Sequence, residues 1–243
     1  MTKAKRHDGR RPNQLRPVTI TPGFVGSADG SCLIETGGTR VICTASFSPG
    51  LPKWREGSGL GWLTAEYGML PASTGRRKRR PTIKPDSRGV EIQRLIGRVV
   101  RNVVRFDRLG ENTLHLDCDV LEADGGTRTA SITGAYVAAA IANHRCAEQG
   151  RCKPRAIAGQ VAAISVGIVG GRVLLDLDYA EDSNAEVDMN IAMLGNGNFV
   201  EVQGSAERAP FTDDELQEML DMARKGIRKL ATIQRQAIRE GVK

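Results

Sequence analysis

Apolar and polar side chains alternate along several stretches of the chain, a pattern that predicts paired β-strands. The first stretch covers residues 17–47 and is interrupted by the turn sequences GSADGS and TGG. The same period of two occurs in LTAEYGML and in TLHLDCDVL, which covers residues 113–121. A second group of strands is expected from about 157 to 203, with turns at Gly170-Gly171 and at the GNGN of residues 195–198. The pattern therefore places strands in two groups along the chain.

Three other segments have the periodicity of helices. From Val90 to about Arg108, apolar residues recur at steps of three and four, and arginines repeat these steps about 200° away around the helix. Residues 129–148 are rich in alanine and apolar on nearly all sides, which predicts a helix buried against a sheet. The last helix opens with a capping box, Thr212 to Glu215. The arginine stripe consists of Arg94, Arg98, Arg101, Arg105 and Arg108, and either a solvated face or a binding surface accounts for it.

No linker and no long repeat divides these elements, so the sequence predicts one α+β domain over residues 1–243. A basic arm covers residues 1–16, and the C-terminal helix covers 212–243. Residues 72–88 contain the run RRKRR with few apolar side chains, which predicts an exposed basic loop.

Charge and cysteine content narrow the classes of function. The chain has 35 Lys and Arg against 28 Asp and Glu, a net charge of +7, which favours a polyanionic partner. The five cysteines form no CxxC pair, so buried thiols in a reducing compartment are expected rather than a zinc site or disulfides. No segment approaches the ~18 uncharged apolar residues of a membrane span. We therefore expect a cytoplasmic protein that does not insert in a membrane.

The tetrapeptide Gly-Gly-Thr-Arg occurs twice, at 37–40 and at 125–128, in different surroundings. The first copy lies between two predicted strands, where it is expected to form a turn. The second copy lies between a strand and a helix, and a helix N-terminus directs free N–H groups and a positive dipole end at its loop. With the Thr127 hydroxyl and the Arg128 guanidinium, this copy is a candidate phosphate site. The alternative is that Thr127 or Thr129 only caps the helix.

Acidic residues form a second candidate site. Their carboxylates suit a hard cation or proton donation, and the alternative is an acidic surface turn. The chain has three histidines, expected to be structural, and no P-loop or dinucleotide-binding motif. A bound phosphate and carboxylates without a side-chain nucleophile fit a reaction in which phosphate is the nucleophile. The acids are Asp176, Asp178, Glu181, Asp182, Glu186 and Asp188.

Several longer stretches together resemble the ribonuclease PH family, bacterial phosphate-dependent 3′ exoribonucleases that trim tRNA precursors. They are GWLTAEYGMLPAST, VEIQRLIGRVVR, LDCDVLEADGGTRTASITGAY, YAEDSNAEVDMNIAM and VEVQGSAERAPF, in the order of the family. The similarity runs from about Arg6 to the final helix. It implies an α+β, two-layer fold of the ribosomal-protein-S5-domain-2-like type, with mixed and antiparallel sheets and packed helices.

The resemblance also implies which residues bind phosphate. These are Gly126, Thr127 and Arg128 of the second GGTR, together with Arg88 before the EIQRLIGR helix. The family commonly reads Gly-Arg-Thr around that last arginine, and this chain has Ser87-Arg88-Gly89.

Catalytic and metal-site positions of the family correspond to Asp182 and Asp188, with Mg²⁺ as the expected ion and inorganic phosphate as the co-substrate. The related polynucleotide phosphorylase has a lysine where this chain has Asn190. The basic loop resembles a family loop that contacts tRNA and takes part in ring assembly. Its expected RNA-binding residues are Arg76, Arg77, Arg79 and Arg80.

The implied partners are tRNA precursors and other RNA 3′ ends, with the chain assembled as a homohexamer, a trimer of dimers. The implied activity releases nucleoside diphosphates and is reversible. Two alternatives stay open at this point. One is a metal-dependent hydrolytic ribonuclease, which would release monophosphates without phosphate, and the other is a non-catalytic RNA-binding ring subunit.

Overall fold

Two β-sheets and a helix that packs against both make up the core of the protein. The computed structural model describes residues 6–80 and 86–243. Residues 1–5 of the expected basic arm and 81–85 of the expected basic loop lie outside the described residues.

The first sheet is mixed and has the strand order β1-β2-β3-β5-β4. All its neighbours are antiparallel except β4 and β5, which run parallel. A parallel pair needs a crossover connection, and helices supply it here. The strands are β1 (Val18–Pro22), β2 (Gly30–Thr36), β3 (Thr39–Pro49), β4 (Trp62–Met69) and β5 (Asn112–Glu122).

The second sheet is antiparallel throughout, with the order β7-β6-β8-β9. Its strands are β6 (Val161–Ile168), β7 (Val173–Leu175), β8 (Val187–Leu194) and β9 (Phe199–Ala206). Gly170 and Gly171 form the turn between β6 and β7 with φ of 57° and 65°, values that favour glycine. The turns predicted there and at residues 195–198 are confirmed.

Five helices complete the fold over the described ranges. They are α1 (Ser87–Arg101), α2 (Phe106–Leu109), α3 (Thr127–Glu148), α4 (Tyr179–Asp182) and α5 (Asp213–Gly241). The capping box predicted for the last helix is present, because Thr212 and Glu215 each accept a hydrogen bond from the other's backbone N–H. Within the described residues no helix has both the length and the apolar character to cross a membrane.

Helix α3 packs closely against the first sheet because its contact face has small residues. A Cβ added at Gly134 would lie 2.6 Å from the Cys43 Sγ, and one at Gly30 of β2 would lie 2.2 Å from the Ala138 carbonyl oxygen. On its other side α3 contacts β6, where the Thr133 hydroxyl donates to the Ala163 carbonyl at 3.2 Å. Burial on both sides explains why the helix is apolar all round and confirms that prediction.

Two predicted boundaries are wrong. Helix α1 ends at Arg101, not near Arg108, because Val104 forms a β-bridge with Ile157 and the Arg105 N–H donates to the Ala156 carbonyl. The extended chain at this bridge separates Arg105 and Arg108 from the rest of the arginine stripe. The basic loop also ends earlier than residue 88, since the Asp86 carboxylate caps the helix that begins at Ser87.

Candidate active site

A cavity of about 660 Å³ lies where the C-terminal end of β5, the start of α3, the start of α1 and the α4–β8 connection meet. It brings together all of the phosphate-binding and acidic residues expected from the resemblance. Of the basic loop, Arg76 and Lys78 line the cavity, and Arg77, Arg79 and Arg80 are exposed outside it. The expected residues in its wall are Arg76, Arg88, Gly126, Thr127, Arg128, Asp182 and Asp188.

The loop before α3 has the geometry of an anion site. Gly125 and Gly126 have φ of 73° and 68°, in the left-handed region that glycine adopts without strain. Gly126 caps the helix with no side-chain hydrogen bond to its first N–H groups. Thr129 does not cap them either, because its hydroxyl donates to the Gly126 carbonyl at 2.9 Å. The first turn of a 22-residue helix therefore presents unsatisfied N–H donors at the cavity.

Tyr67 of β4 holds the hydroxyl of Thr127. Its Oη donates to the Thr127 Oγ1 at 3.0 Å. Burial raises the pKa of Tyr67, although Arg88 and Arg128 act in the opposite direction, so the phenol keeps its proton as a donor. A hydroxyl that accepts from Tyr67 keeps its own hydrogen for another acceptor. Sequence reasoning placed Tyr67 in a strand and did not predict it as a site residue.

Besides Arg76 and Lys78 of the basic loop, two arginines bring positive charge to the cavity. Arg88 lies in the first turn of α1, where its backbone N–H donates to the Asp86 carboxylate at 3.2 Å. Its side chain is exposed and has no partner among the described residues. Arg128 contacts the Gln203 Oε1 at 3.3 Å and the Glu91 Oε1 at 3.7 Å, through one guanidinium nitrogen. Both guanidinium groups can therefore turn donors toward an anion.

Arg16 and Thr39 hold the backbone of the loop before α3, and sequence reasoning missed both residues. Arg16 donates to the Asp124 and Gly125 carbonyls and is held by the Asp176 carboxylate, with a shortest N–O distance of 2.7 Å. The Thr39 hydroxyl donates to the Gly125 carbonyl at 2.7 Å and accepts from the Asp124 N–H at 2.8 Å. Thr39 belongs to the first GGTR, so one copy of the motif holds the other in place.

The two expected acids line the same cavity as the loop before α3. Asp182 ends α4 and Asp188 is the second residue of β8. Burial raises the pKa of Asp182 against the lowering effect of Arg88, Arg128 and Arg16. Burial and the neighbouring Asp182 raise the pKa of Asp188 to about 6. Such shifts are common where carboxylates take part in proton transfer or bind cations.

The donor set at Asp188 fits a divalent cation. Its Oδ2 accepts a hydrogen bond from the Asn190 amide at 3.3 Å, and its Oδ1 is buried with no hydrogen-bond partner in the described chain. A buried carboxylate oxygen without a donor is costly unless a cation satisfies it. Asp182 and Asp188 are the residues that could hold this ion. Asn190 thus orients the Asp188 carboxylate and adds no charge to the site.

The other acids of the cluster have a different role. Asp176, Asp178 and Glu181 are buried and paired with arginines, so they form neither a cation site nor the surface turn considered as the alternative. His7, Asp178 and Glu181 are close enough to share a metal ion. Arg6 and Arg10 already neutralise that group, with N–O distances of 3.3 Å from Arg10 to both acids.

Comparison with known proteins gives the family of this site. The description "3′ exoribonuclease family, domain 1" matches residues 14–144, and "3′ exoribonuclease family, domain 2" matches residues 159–226. The chain is 52% identical to ribonuclease PH of Synechococcus sp. (strain CC9605) over 235 residues, 97% of this chain and 95% of that protein. It is also 52% identical to ribonuclease PH of Bifidobacterium longum (strain NCC 2705), with 96% of each chain covered.

Solved structures share the fold at lower identity. A chain of the Archaeoglobus fulgidus exosome, described as having RNA bound to the active site, superposes with a TM-score of 0.79 at 24% identity, over 93% of this chain and 91% of that one. Rice Rrp46 gives a TM-score of 0.79 at 18% identity, over 96% and 100%. The α+β fold predicted from the sequence is confirmed, and the chain belongs to the 3′ exoribonuclease family, together with the ribonuclease PH proteins.

Proposed function

We propose that the cavity binds inorganic phosphate beside the 3′ end of an RNA and there carries out the phosphate-dependent 3′–5′ exoribonuclease activity of the ribonuclease PH proteins. One observation supports this most strongly. The N-terminus of α3, two arginines and two acids of raised pKa line the same cavity. An anion and a group that needs a proton can therefore meet there.

The reaction is a phosphoryl transfer with phosphate as the nucleophile. A phosphate oxygen forms a bond to the phosphorus of the last internucleotide link, and the bond from that phosphorus to the O3′ of the preceding nucleotide breaks. The O3′ takes up a proton, and the terminal residue leaves as a nucleoside diphosphate. The bond that breaks and the bond that forms are both phosphate bonds of similar energy. Nucleoside diphosphates and an RNA primer should therefore drive the reverse reaction.

The residues of the phosphate loop position and neutralise the nucleophile. Arg88 and Arg128 form charge-assisted hydrogen bonds to phosphate oxygens, and Thr127 donates its hydroxyl. Gly126 leaves the first N–H groups of α3 accessible, so the helix end adds its dipole. The N–H groups of α3 and the Thr127 hydroxyl are held in place before the substrates arrive. Catalysis of this kind depends on positioning and on charge stabilisation.

The acids act at the leaving oxygen. Asp182 donates the proton to the departing O3′, which its raised pKa favours. Asp188, with Asp182, would hold Mg²⁺, and a bound Mg²⁺ would supply Lewis-acid stabilisation of the charge on the phosphoryl oxygens. Asn190 keeps the Asp188 carboxylate in place through its amide.

The RNA reaches the cavity past the exposed part of the basic loop. Arg76, Arg77, Arg79 and Arg80 are exposed, and their charges suit the phosphates of tRNA precursors or other RNA 3′ ends. As the working assembly we propose a cytoplasmic homohexamer, a trimer of dimers, which is what the resemblance to the ribonuclease PH family implies. All five cysteines are free thiols, in agreement with a reducing compartment.

The alternatives have less support. A non-catalytic ring subunit would not need two acids, two arginines and a helix N-terminus in one cavity. A hydrolytic ribonuclease would use the same acids on water, and its product would be a monophosphate.

Replacing Arg128 by alanine tests the phosphate site. We expect kcat/KM for phosphate to fall roughly thirty- to a thousandfold, which corresponds to about 2 to 4 kcal/mol of lost transition-state stabilisation. The reason is that a preorganised donor is lost in both the ground state and the transition state. The matched control is Arg40→Ala in the first GGTR, whose guanidinium is exposed and paired with Glu35 at 3.0 Å. A phosphate dependence that is the same in both variants would refute the assignment.

A further inference from the structure

A partly exposed cluster of aromatic rings and guanidinium groups lies at the opposite end of β4 from the cavity. The rings of Trp54 and Trp62 meet edge to face, with centroids 4.7 Å apart, and Trp62 stacks on Phe106 at 5.7 Å. Trp54 is 64% exposed, an unusual position for a large aromatic side chain in a soluble domain. We call Trp54, Arg55, Trp62, Arg101 and Phe106 the Trp–Arg cluster.

The arginines of the Trp–Arg cluster face rings and backbone carbonyls. The Arg55 guanidinium lies 5.1 to 5.7 Å from the centroids of the three rings, and that of Arg101 lies 4.5 Å from the Trp62 centroid. Their hydrogen bonds go to the Gly61 and Leu63 carbonyls. Neither has a carboxylate partner in the part of the chain that the structure describes. The cluster therefore presents flat rings together with uncompensated positive charge.

More positive charge lies next to the Trp–Arg cluster. Arg105, Arg108 and Arg155 line an open cavity of about 560 Å³ beside Phe106. Arg105 pairs with Asp107 at 3.3 Å, and Arg155 has no partner among residues 6–80 and 86–243. The Nε of Arg108 is buried without an acceptor. Arg105 and Arg108 belong to the arginine stripe of the sequence analysis, and Arg155 was given no role there. The proposed chemistry of the active site uses none of the three.

Two elements connect the Trp–Arg cluster to the active site. Strand β4 runs from Trp62 in the cluster to Met69, which lines the catalytic cavity. Helix α1 begins next to Arg88 in that cavity and ends at Arg101, against the Trp62 ring. At 1.5 Å per residue the 15-residue helix spans about 20 Å. An RNA strand of several nucleotides can cover this distance.

The geometry points to a second RNA-binding subsite at the Trp–Arg cluster, where single-stranded bases upstream of the 3′ end stack on Trp54 and their phosphates contact the neighbouring arginines. This inference rests on the proposed function, because it takes RNA as the ligand of the cavity. Stacking on aromatic rings within a basic surface is how proteins bind single strands without reading sequence. A protein partner would match such a surface only by placing carboxylates between the rings, so the combination favours RNA.

Tryptophan fluorescence reports on this subsite directly, since Trp54 and Trp62 are the two tryptophans of the chain. The full-length protein is titrated without phosphate, so that no phosphorolysis occurs, with oligoadenylates of three and of twelve nucleotides. We expect quenching with the twelve-mer that decreases with salt, and little with the three-mer. Saturated binding of the twelve-mer, measured by anisotropy of a 5′ label, without quenching would overturn the inference.

A substitution series separates stacking from other roles. Trp54→Ala should weaken binding of the twelve-mer by roughly tenfold or more, the cost of one base-stacking contact, while Trp54→Tyr should retain most of the affinity. The matched control is Phe199→Ala, since Phe199 is also exposed and lies 4.8 Å from an arginine, Arg224. Equal affinities of Trp54→Ala and the parent protein would overturn the proposal.

Two further readouts keep the outcomes distinct. The mass of the assembly in solution should not change in Trp54→Ala, and a smaller assembly would assign the rings to a subunit interface instead of RNA. Phosphorolysis of the three-mer should also be unchanged. If the parent protein shows no phosphate-dependent release of diphosphates from any RNA, the proposed function fails, whereas a Trp54→Ala variant fully active on long RNA contradicts the subsite alone.

Discussion

At the scale of single residues, the hydrogen bond from Tyr67 fixes which way the Thr127 hydroxyl, our proposed phosphate ligand, donates. The Thr127 Oγ1 receives the Tyr67 hydrogen at 3.0 Å, so the threonine hydrogen is free to point into the cavity. Neither residue bears a formal charge, and the effect is one of orientation. In the proposed function, Tyr67 is therefore a residue that positions Thr127 for phosphate.

Tyr67→Phe should raise KM for phosphate by about two- to tenfold, because a neutral hydrogen bond contributes about 0.5–1.5 kcal/mol. KM for RNA and the oligomeric mass should stay the same. The control is Tyr136→Phe in α3, a buried tyrosine for which no hydrogen bond is seen among the described residues. Steady-state kinetics with varied phosphate checks this, and an unchanged KM would show that Tyr67 only fills space.

The raised pKa of Asp188 makes a prediction about stability and pH. Its pKa is about 6 in the folded chain against an ordinary value of 3.8, mainly because of burial. Between these values the unfolded chain loses the proton first, so rising pH destabilises the fold, and the full cost is present above pH 6. Without divalent cations, Asp188→Asn should then be more stable than the parent above pH 7, on the order of 2–3 kcal/mol.

Urea unfolding with a chelator at pH 4 and pH 7.5 measures this difference, which should nearly vanish at the lower pH. Adding Mg²⁺ at pH 7.5 should stabilise the parent protein and leave Asp188→Asn unchanged. The exposed Asp119, replaced by Asn, serves as the control. A stability difference that is the same at both pH values would contradict the assignment of Asp188 as a buried carboxylate that binds a cation.

At the scale of elements, the two GGTR copies show what local sequence can and cannot predict. Strand periodicity, the helix caps and the glycine turns are encoded within a few residues, and those predictions agree with the structure. The phosphate loop was also predicted from its position between a strand and a helix. The residues that support the loop were not predicted, because Arg16 lies 108 residues from Asp124 and Thr39 lies 86 residues from Gly125. No spacing rule connects residues so far apart.

The end of α1 shows a different limit. The apolar spacing continues through Val103 to Phe106 and the arginine spacing to Arg108, so the periodicity alone predicted a helix as far as Arg108. The bridge from Val104 to Ile157 stops the helix, and this contact forms only when the fold brings residue 157 beside it. Tertiary pairing overrides local preference there.

Thr39→Val tests the coupling between β3 and the phosphate loop. The substitution keeps the shape but removes partners from the Gly125 carbonyl and the Asp124 N–H. We expect the free energy of unfolding to drop by about 1–3 kcal/mol and KM for phosphate to rise. Thr39→Ser should restore both. Lower stability with an unchanged KM for phosphate would mean that Thr39 supports the fold without positioning the loop.

At the scale of the whole molecule, the positive charge is distributed differently from what the sequence indicated. Arg6, Arg10 and Arg16 of the expected basic arm are buried and paired with acids of the 176–181 segment. These ion pairs hold the described part of the arm, residues 6–16, against the 176–181 segment. Exposed basic side chains lie on the basic loop, at the cavity and around the Trp–Arg cluster, where an RNA strand would pass, and others lie on α5.

The central claim is that phosphate, and not water, breaks the RNA chain in the cavity. The direct measurement is to incubate a 3′-extended tRNA with the protein, with and without phosphate, and to identify the released nucleotide. We predict nucleoside diphosphates in the presence of phosphate and almost no release in its absence. Release of nucleoside monophosphates at the same rate without phosphate would contradict the account.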